Sequence, residues 1–127
     1  MKWFWLGIRM LLSLFIMYAG AQHFLNPTVF KPFVPDFLGF KMPIIYISGV
    51  VEIAIGIMLL TNKYKGYAAY AFFLLMLIFL PLHIWDVMSD TPAIGSHKAA
   101  MIRLPLQFVL LALTWQLKRL HFDQPAS

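Results

Sequence analysis

Residues 67–85, YAAYAFFLLMLIFLPLHIW, run for 19 positions with no lysine, arginine, aspartate or glutamate. At about 1.5 Å of rise per residue, a helix of this length crosses most of the roughly 30 Å hydrocarbon core of a bilayer. Working outward, three other stretches obey the same rule less strictly. Residues 3–24 are interrupted by Arg9, residues 44–60 contain Glu52, and residues 101–117 contain Arg103 and Gln107. A short polar turn, 62–66, and a longer polar loop, 86–98, with Pro92 and Gly95, separate the last three. No internal repeat is visible. The expected fold is all-α, a single four-helix transmembrane domain over residues 1–127.

The composition agrees. Only 12% of the residues are charged and 61% are hydrophobic, with a mean hydropathy of +0.78. So few charges leave a water-soluble globule of this size without enough polar surface, and disorder requires the opposite bias. With no cysteine, the chain itself carries no disulfide, thiolate metal site or thiol–disulfide exchange. The net charge of +5 comes from basic residues that mostly flank the apolar stretches. That placement anchors helices at a membrane surface and lacks the arrangement of a nucleic-acid-binding face.

Residues 25–43 form an unusual connector, with Pro27, Pro32, Pro35 and Pro43 interleaved with Phe30, Phe33, Phe37 and Phe40. Proline denies it a long helix, and the phenylalanines make it too apolar to float in water. It is expected in the membrane interface, either as a passive anchor or folded over the mouth of the bundle as a lid. A rival parse treats Arg9, the run 11–18 and Ala19-Gly20-Ala21 as a cleavable signal peptide, which would leave three spans. With four spans both termini share one side. That side carries Lys2, Lys63, Lys65, Lys118 and Arg119 against Lys31, Lys41 and Lys98 opposite, so both termini are expected in the cytoplasm, with a bacterial inner membrane as the location. His97 and His121 read as solvated residues of a loop and a tail.

Each predicted helix carries one polar stripe. Arg9, Ser13, Ile16, Gly20 and His23 share a face of the first; Ser48, Glu52 and Gly56 share one on the second, with Gly49 beside it. Met76, Phe79, His83 and Asp86 line up on the third, and Arg103, Gln107, Leu110 and Thr114 on the fourth. Ionisable groups within spans turn toward a bundle interior, so the stripes converge in a polar seam. Counting from the span boundaries puts Glu52 about 6 Å deeper than Arg9, within the reach of an arginine side chain. Arg9–Glu52 is therefore the expected ion pair, with Arg103 competing from the outer side. Such a pair serves either as a packing device or as part of a functional site. His23 and His83 fall at similar depth, as axial ligands of a haem would, but two histidines align this way by chance and haem is the weaker reading. Asp86 adds too little for a zinc site, so no metal is assigned. Gly49 and Gly56 suit a close helix contact around Glu52.

The ordered set of motifs, GAQHF followed by Pro27 and Phe30, Val34-Pro35, SGVVE with Gly56, FLPLHI at 79–84 and RLPLQ at 103–107, resembles the DoxX-like family of small bacterial four-helix membrane proteins. The resemblance covers nearly the whole chain. It implies a compact four-helix bundle with both ends on one side and an association with redox biology, since the family's namesake is similar to a subunit of a thiosulfate:quinone oxidoreductase. Family members often have asparagine where this chain has His83, so a role for His83 is particular to this sequence. The expectation is an accessory or quinone-interacting subunit of a membrane redox system, working with a redox partner protein. His23, His83, Arg103 and Gln107 would donate to a quinone and Glu52 would relay protons. A carrier of a lipid or other hydrophobic small molecule and a membrane scaffold subunit are the alternatives.

Overall fold

The computed structural model describes residues 2–34, 36–90, 92 and 94–120; Pro35 and His121 lie outside them. Four long helices appear in the expected order: α1 (Lys2–Leu25), α2 (Lys41–Leu60), α3 (Lys65–Met88) and α4 (His97–Lys118). Each is long and apolar enough to cross a membrane, and no strand occurs among the described residues. The helices outrun the spans read from hydropathy, chiefly where polar or charged residues such as Lys41, Lys65, Asp86 and His97 continue a turn beyond the apolar run. Helix α2 starts at Lys41, inside the expected connector, since Pro43 falls in the first turn, where its missing N–H has no helical acceptor to lose. Helix α4 starts at His97, which is therefore helical rather than part of a loop; Ser96 Oγ caps it by accepting from Ala99 N at 3.1 Å.

The helices pair as two antiparallel hairpins, α1 with α2 and α3 with α4, joined through a narrower contact between α2 and α3. Glycine sets the first hairpin. A Cβ built on Gly20 would stand 2.8 Å from Gly49 O and 2.8 Å from Ile53 Cγ1, and one on Gly49 would stand 2.8 Å from His23 Cβ. Small residues of this kind let membrane helices approach to backbone contact. Toward the chain termini, Leu12, Ile16, Ile55, Leu59, Phe72 and Leu117 close a continuous apolar core, with Ala68 and Ala69 admitting α3 to the centre. Large apolar side chains such as Leu11, Ile47, Leu77 and Ile102 are exposed on the outside of the bundle, a surface suited to lipid. The buried set on α1 is Arg9, Leu12, Ser13, Ile16, Gly20 and His23, which is the expected polar stripe with Leu12 added.

The connector folds back over the bundle rather than trailing along its edge. Pro27 ends α1 and opens a 3-10 helix, Pro27–Phe33, with a second short turn at Asp36–Leu38. The first packs on α1 and α2. Gly39 turns the chain with φ of 73°, and Lys41 Nζ reaches back to Asp36 Oδ1 at 2.6 Å, fastening the end of the strap to the start of α2.

Gly20→Val is expected to destabilise the bundle by about 1–3 kcal/mol by overpacking, read as a lower midpoint of unfolding in detergent. Gly7→Ala, with nothing within 4 Å of the new methyl, should leave that midpoint unchanged or raise it. An unchanged midpoint for Gly20→Val would remove the glycine contact as the organiser of the hairpin.

The strap should also respond to acid. The Lys41 hydrogen bond and charge hold the Asp36 carboxyl below its ordinary value of 3.8. A depressed carboxylate contributes in full above that ordinary value and loses its contribution as pH falls through the lower, folded one. Hydrogen exchange over residues 27–38, corrected for its intrinsic pH dependence, should therefore accelerate below pH 3.8 while α2 stays protected. Asp36→Asn should produce the same acceleration at neutral pH.

Candidate functional site

Toward the connector end, the two hairpins leave a cavity of about 760 Å³ between them, inside the range of roughly 300–1,000 Å³ typical of small-molecule sites. Its walls are apolar, with Phe15, Ile45, Ile78 and Leu110 from the four helices and Phe30 and Phe33 from the strap. Into these walls are set His23, Ser48, Glu52, His83, Arg103 and Gln107. Five of the six sequence-derived candidates thus gather around one space, and Arg9 does not.

The first hairpin contributes a histidine and a carboxylate. His23 Nδ1 lies 2.9 Å from Ile45 O. A carbonyl only accepts, so Nδ1 carries the proton and Nε2 is turned toward the acid. Glu52 Oε2 is 3.3 Å from that Nε2, yet off the line of a hydrogen bond, so this oxygen is buried without a donor. Glu52 is only 4% exposed. A carboxylate held like this is costly unless something completes its hydrogen bonding.

The expected Arg9–Glu52 ion pair is not formed, and the reason is register. Gly20 packs against Glu52 and Gly49, while Gly56 packs against Ser13 and Met17. Glu52 is thus level with Gly20, and Arg9 lies eleven residues away along α1, about 16 Å at 1.5 Å per residue. His23, one turn beyond Gly20, takes the place assigned to Arg9.

The second hairpin contributes the donors. Arg103 Nε donates to His83 Nε2 at 3.4 Å, which places the ring proton of His83 on Nδ1; that Nδ1 is buried and has no partner. Arg103 is exposed, sits 5.6 Å from the centre of the Phe33 ring, and feels both Glu52 and Asp86. Asp86 in turn accepts from Ile94 N at 3.3 Å, tying the α3–α4 loop to this end. Gln107 Nε2 donates to Met76 O at 2.8 Å. Pro81, also within α3, leaves the neighbouring Leu77 carbonyl without its ladder donor. Gln107 is committed to the scaffold, and Arg103 and His83 are the donors left facing the cavity.

The strap covers both halves. The Phe30 ring lies 4.1 Å from that of His23, and the Phe33 ring meets His83 edge-on at 6.3 Å. Ser48 was read only as part of the α2 stripe, but its Oγ is a third buried polar atom without a partner on the cavity wall. Its place one turn before Glu52 on the same face was the available signal. Phe30 and Phe33 carried a weaker one, an aromatic pair three residues apart beside prolines. Among the described residues no group of three or more histidine, aspartate or glutamate side chains converges as a metal site would need.

No curated protein and no solved structure matches the chain. A family model described as Domain of unknown function (DUF8561) matches residues 12–118. That match takes in the second half of α1, the strap, the other three long helices and all six residues set into the cavity wall, and on it the chain belongs to the DUF8561 family.

Proposed function

We propose that this chain is a multi-pass protein of the bacterial cytoplasmic membrane that binds a quinone-class ligand as an accessory or quinone-interacting subunit of a membrane redox system. The observation that carries the reading is the set of buried polar atoms without a partner on one apolar cavity: Glu52 Oε2, Ser48 Oγ and His83 Nδ1. Each such atom costs about 1–3 kcal/mol if left unsatisfied. Together they offer an acceptor, a hydroxyl and an N–H. A ring bearing carbonyl or hydroxyl oxygens on an apolar body is complementary to that set. His83 and Ser48 hold the oxygens, Arg103 supplies positive potential at the rim, and His23 Nε2 and Glu52 Oε2 stand side by side as two bases, either able to take a proton from the ligand. A bound quinone supplies two-electron, two-proton redox chemistry, with the electrons exchanged with a partner protein. The ordered motifs that resemble the DoxX-like family point the same way.

A carrier of a lipid or another hydrophobic small molecule is the second reading, favoured by the strap, whose Phe30 and Phe33 lie against the cavity's polar groups. Native mass spectrometry and absorbance of protein extracted gently from membrane separate the two. A co-purifying quinone, reduced at least about tenfold in occupancy by Glu52→Gln with His83→Leu, supports the first; a co-purifying lipid lost in the same variant supports the second. Neither ligand, or either one retained unchanged by the double variant, favours the scaffold reading instead.

The orientation has its own test. Five basic residues on the side of the termini against three opposite support the reading that both termini are cytoplasmic. A reporter fused after residue 120 should be active only when it reads cytoplasmic location, and periplasmic activity would reverse the topology.

A further inference from the structure

Once Arg9 is separated from Glu52, its own counter-charge is unaccounted for. The side chain is 6% exposed, and its Nη1 is buried with no acceptor. Among the described residues it makes no ion pair. Its charged neighbours are cations, since Lys65 lies within electrostatic range of both Arg9 and Lys2. The described carboxylates Asp36, Glu52, Asp86 and Asp90 lie at midspan or toward the connector end. The terminal end carries Lys63, Lys118 and Arg119 as well.

The backbone adds to this positive field. By the glycine register of α1 against α2, Arg9 stands level with the α2–α3 turn, where α3 begins. Tyr64 at the N-cap of α3 offers no side-chain hydrogen bond to the helix, so the partial positive charge of a 24-residue helix is uncapped beside Arg9 and Lys65. Exposed Trp3 and Tyr67 flank the place, as aromatic side chains do at the boundary between hydrocarbon and headgroups. Basic residues that merely orient a helix are solvated and spread out. Here one arginine is buried, Lys65 lies within electrostatic range of both it and Lys2, and a helix N-terminus stands at the same level.

We propose that Arg9, Lys65, Lys2 and the N-terminus of α3 form a binding site for the phosphate of an anionic phospholipid. Guanidinium and backbone N–H groups match phosphate oxygens in geometry and charge. The lipid's phosphate supplies the counter-charge that Glu52 cannot, and its acyl chains run down the exposed apolar faces of α1 and α3. The site stands at the opposite end of the bundle from the cavity and does not depend on what the cavity binds.

The test uses the full chain, delipidated in a neutral detergent and titrated with phosphatidylglycerol or phosphatidylcholine in mixed micelles, with binding read by native mass spectrometry and by thermal midpoint. The expected result is a preference for phosphatidylglycerol of about tenfold. Lys65→Gln should weaken it about fivefold, as one cation near a membrane surface is worth, Arg9→Gln should weaken it further, and Lys98→Gln, an exposed cation at the opposite end, should leave it unchanged. Lys2→Gln and Lys65→Gln keep the test decisive if Arg9→Gln does not fold. Equal binding of the two lipids, or a preference that survives both lysine substitutions, overturns the site. Millimolar inorganic phosphate displacing the lipid and raising the thermal midpoint by itself overturns the lipid as occupant in favour of free phosphate.

Discussion

The backbones of α1 and α2 meet at Gly20 and Gly49, where a single added methyl on either residue would collide with the opposite helix. Lipid tails are as apolar as leucine, so association of helices within a membrane draws on close packing rather than on expulsion of water. A glycine-to-glycine approach supplies that packing and permits only one axial alignment, since a shift of one turn would drive a side chain into backbone. The alignment puts Gly20 level with Glu52 and brings His23 to its carboxylate. It also strands Arg9 at the far end of α1. The character of the bundle interior is decided at this contact.

The two hairpins divide the labour. Near the termini, Phe72, Leu117 and the alanines of α3 close the space between them. Near the connector the space stays open, and each hairpin contributes a histidine together with one charged residue: His23 with Glu52 on one wall, His83 with Arg103 on the other. Two of these groups are already held from behind, His23 by the Ile45 carbonyl and His83 by Arg103. Their remaining polar atoms consequently have fixed identities, an acceptor at His23 and an N–H at His83. Preorganisation of this kind lowers the ordering cost of binding. The strap bridges the hairpins through Phe30 and Phe33 and keeps the connector end apolar where water would otherwise compete for those atoms.

Much of this was legible in the sequence, for a physical reason. In lipid the usual pattern inverts, and polar residues mark the inward face. The stripe through Arg9, Ser13, Gly20 and His23 therefore gave the buried face of α1 almost residue for residue, and His23, Glu52, His83, Arg103 and Gln107 were found at one site. Faces are angular information, however, and the error over Arg9 and Glu52 was axial. Depth counted from hydropathy boundaries failed although those boundaries were nearly right at the terminal end, α1 beginning at Lys2 and α2 ending at Leu60, because the two helix ends are not level: by the glycine contacts α1 runs on past the end of α2. Matching the small residues Gly20, Gly49 and Gly56 across the two helices was the better ruler. Tautomers, by contrast, were beyond any sequence reading, because they depend on which backbone carbonyl a ring nitrogen meets.

Arg9 and Glu52 are opposite charges buried in one small bundle, and they are kept about 16 Å apart along it. Were the polar seam only a packing device, pairing them would be the cheaper arrangement, since each would neutralise the other and no buried atom of either would lack a partner. Keeping them apart leaves an acceptor over an apolar cavity at midspan and a cation in range of Lys65 at the terminal end. A chain that carries both costs is more economically explained if each charge is completed from outside. On that argument the amphiphile proposed for the cavity and the phosphate proposed at the terminal end are two consequences of one separation, enforced by the glycines of α1 and α2.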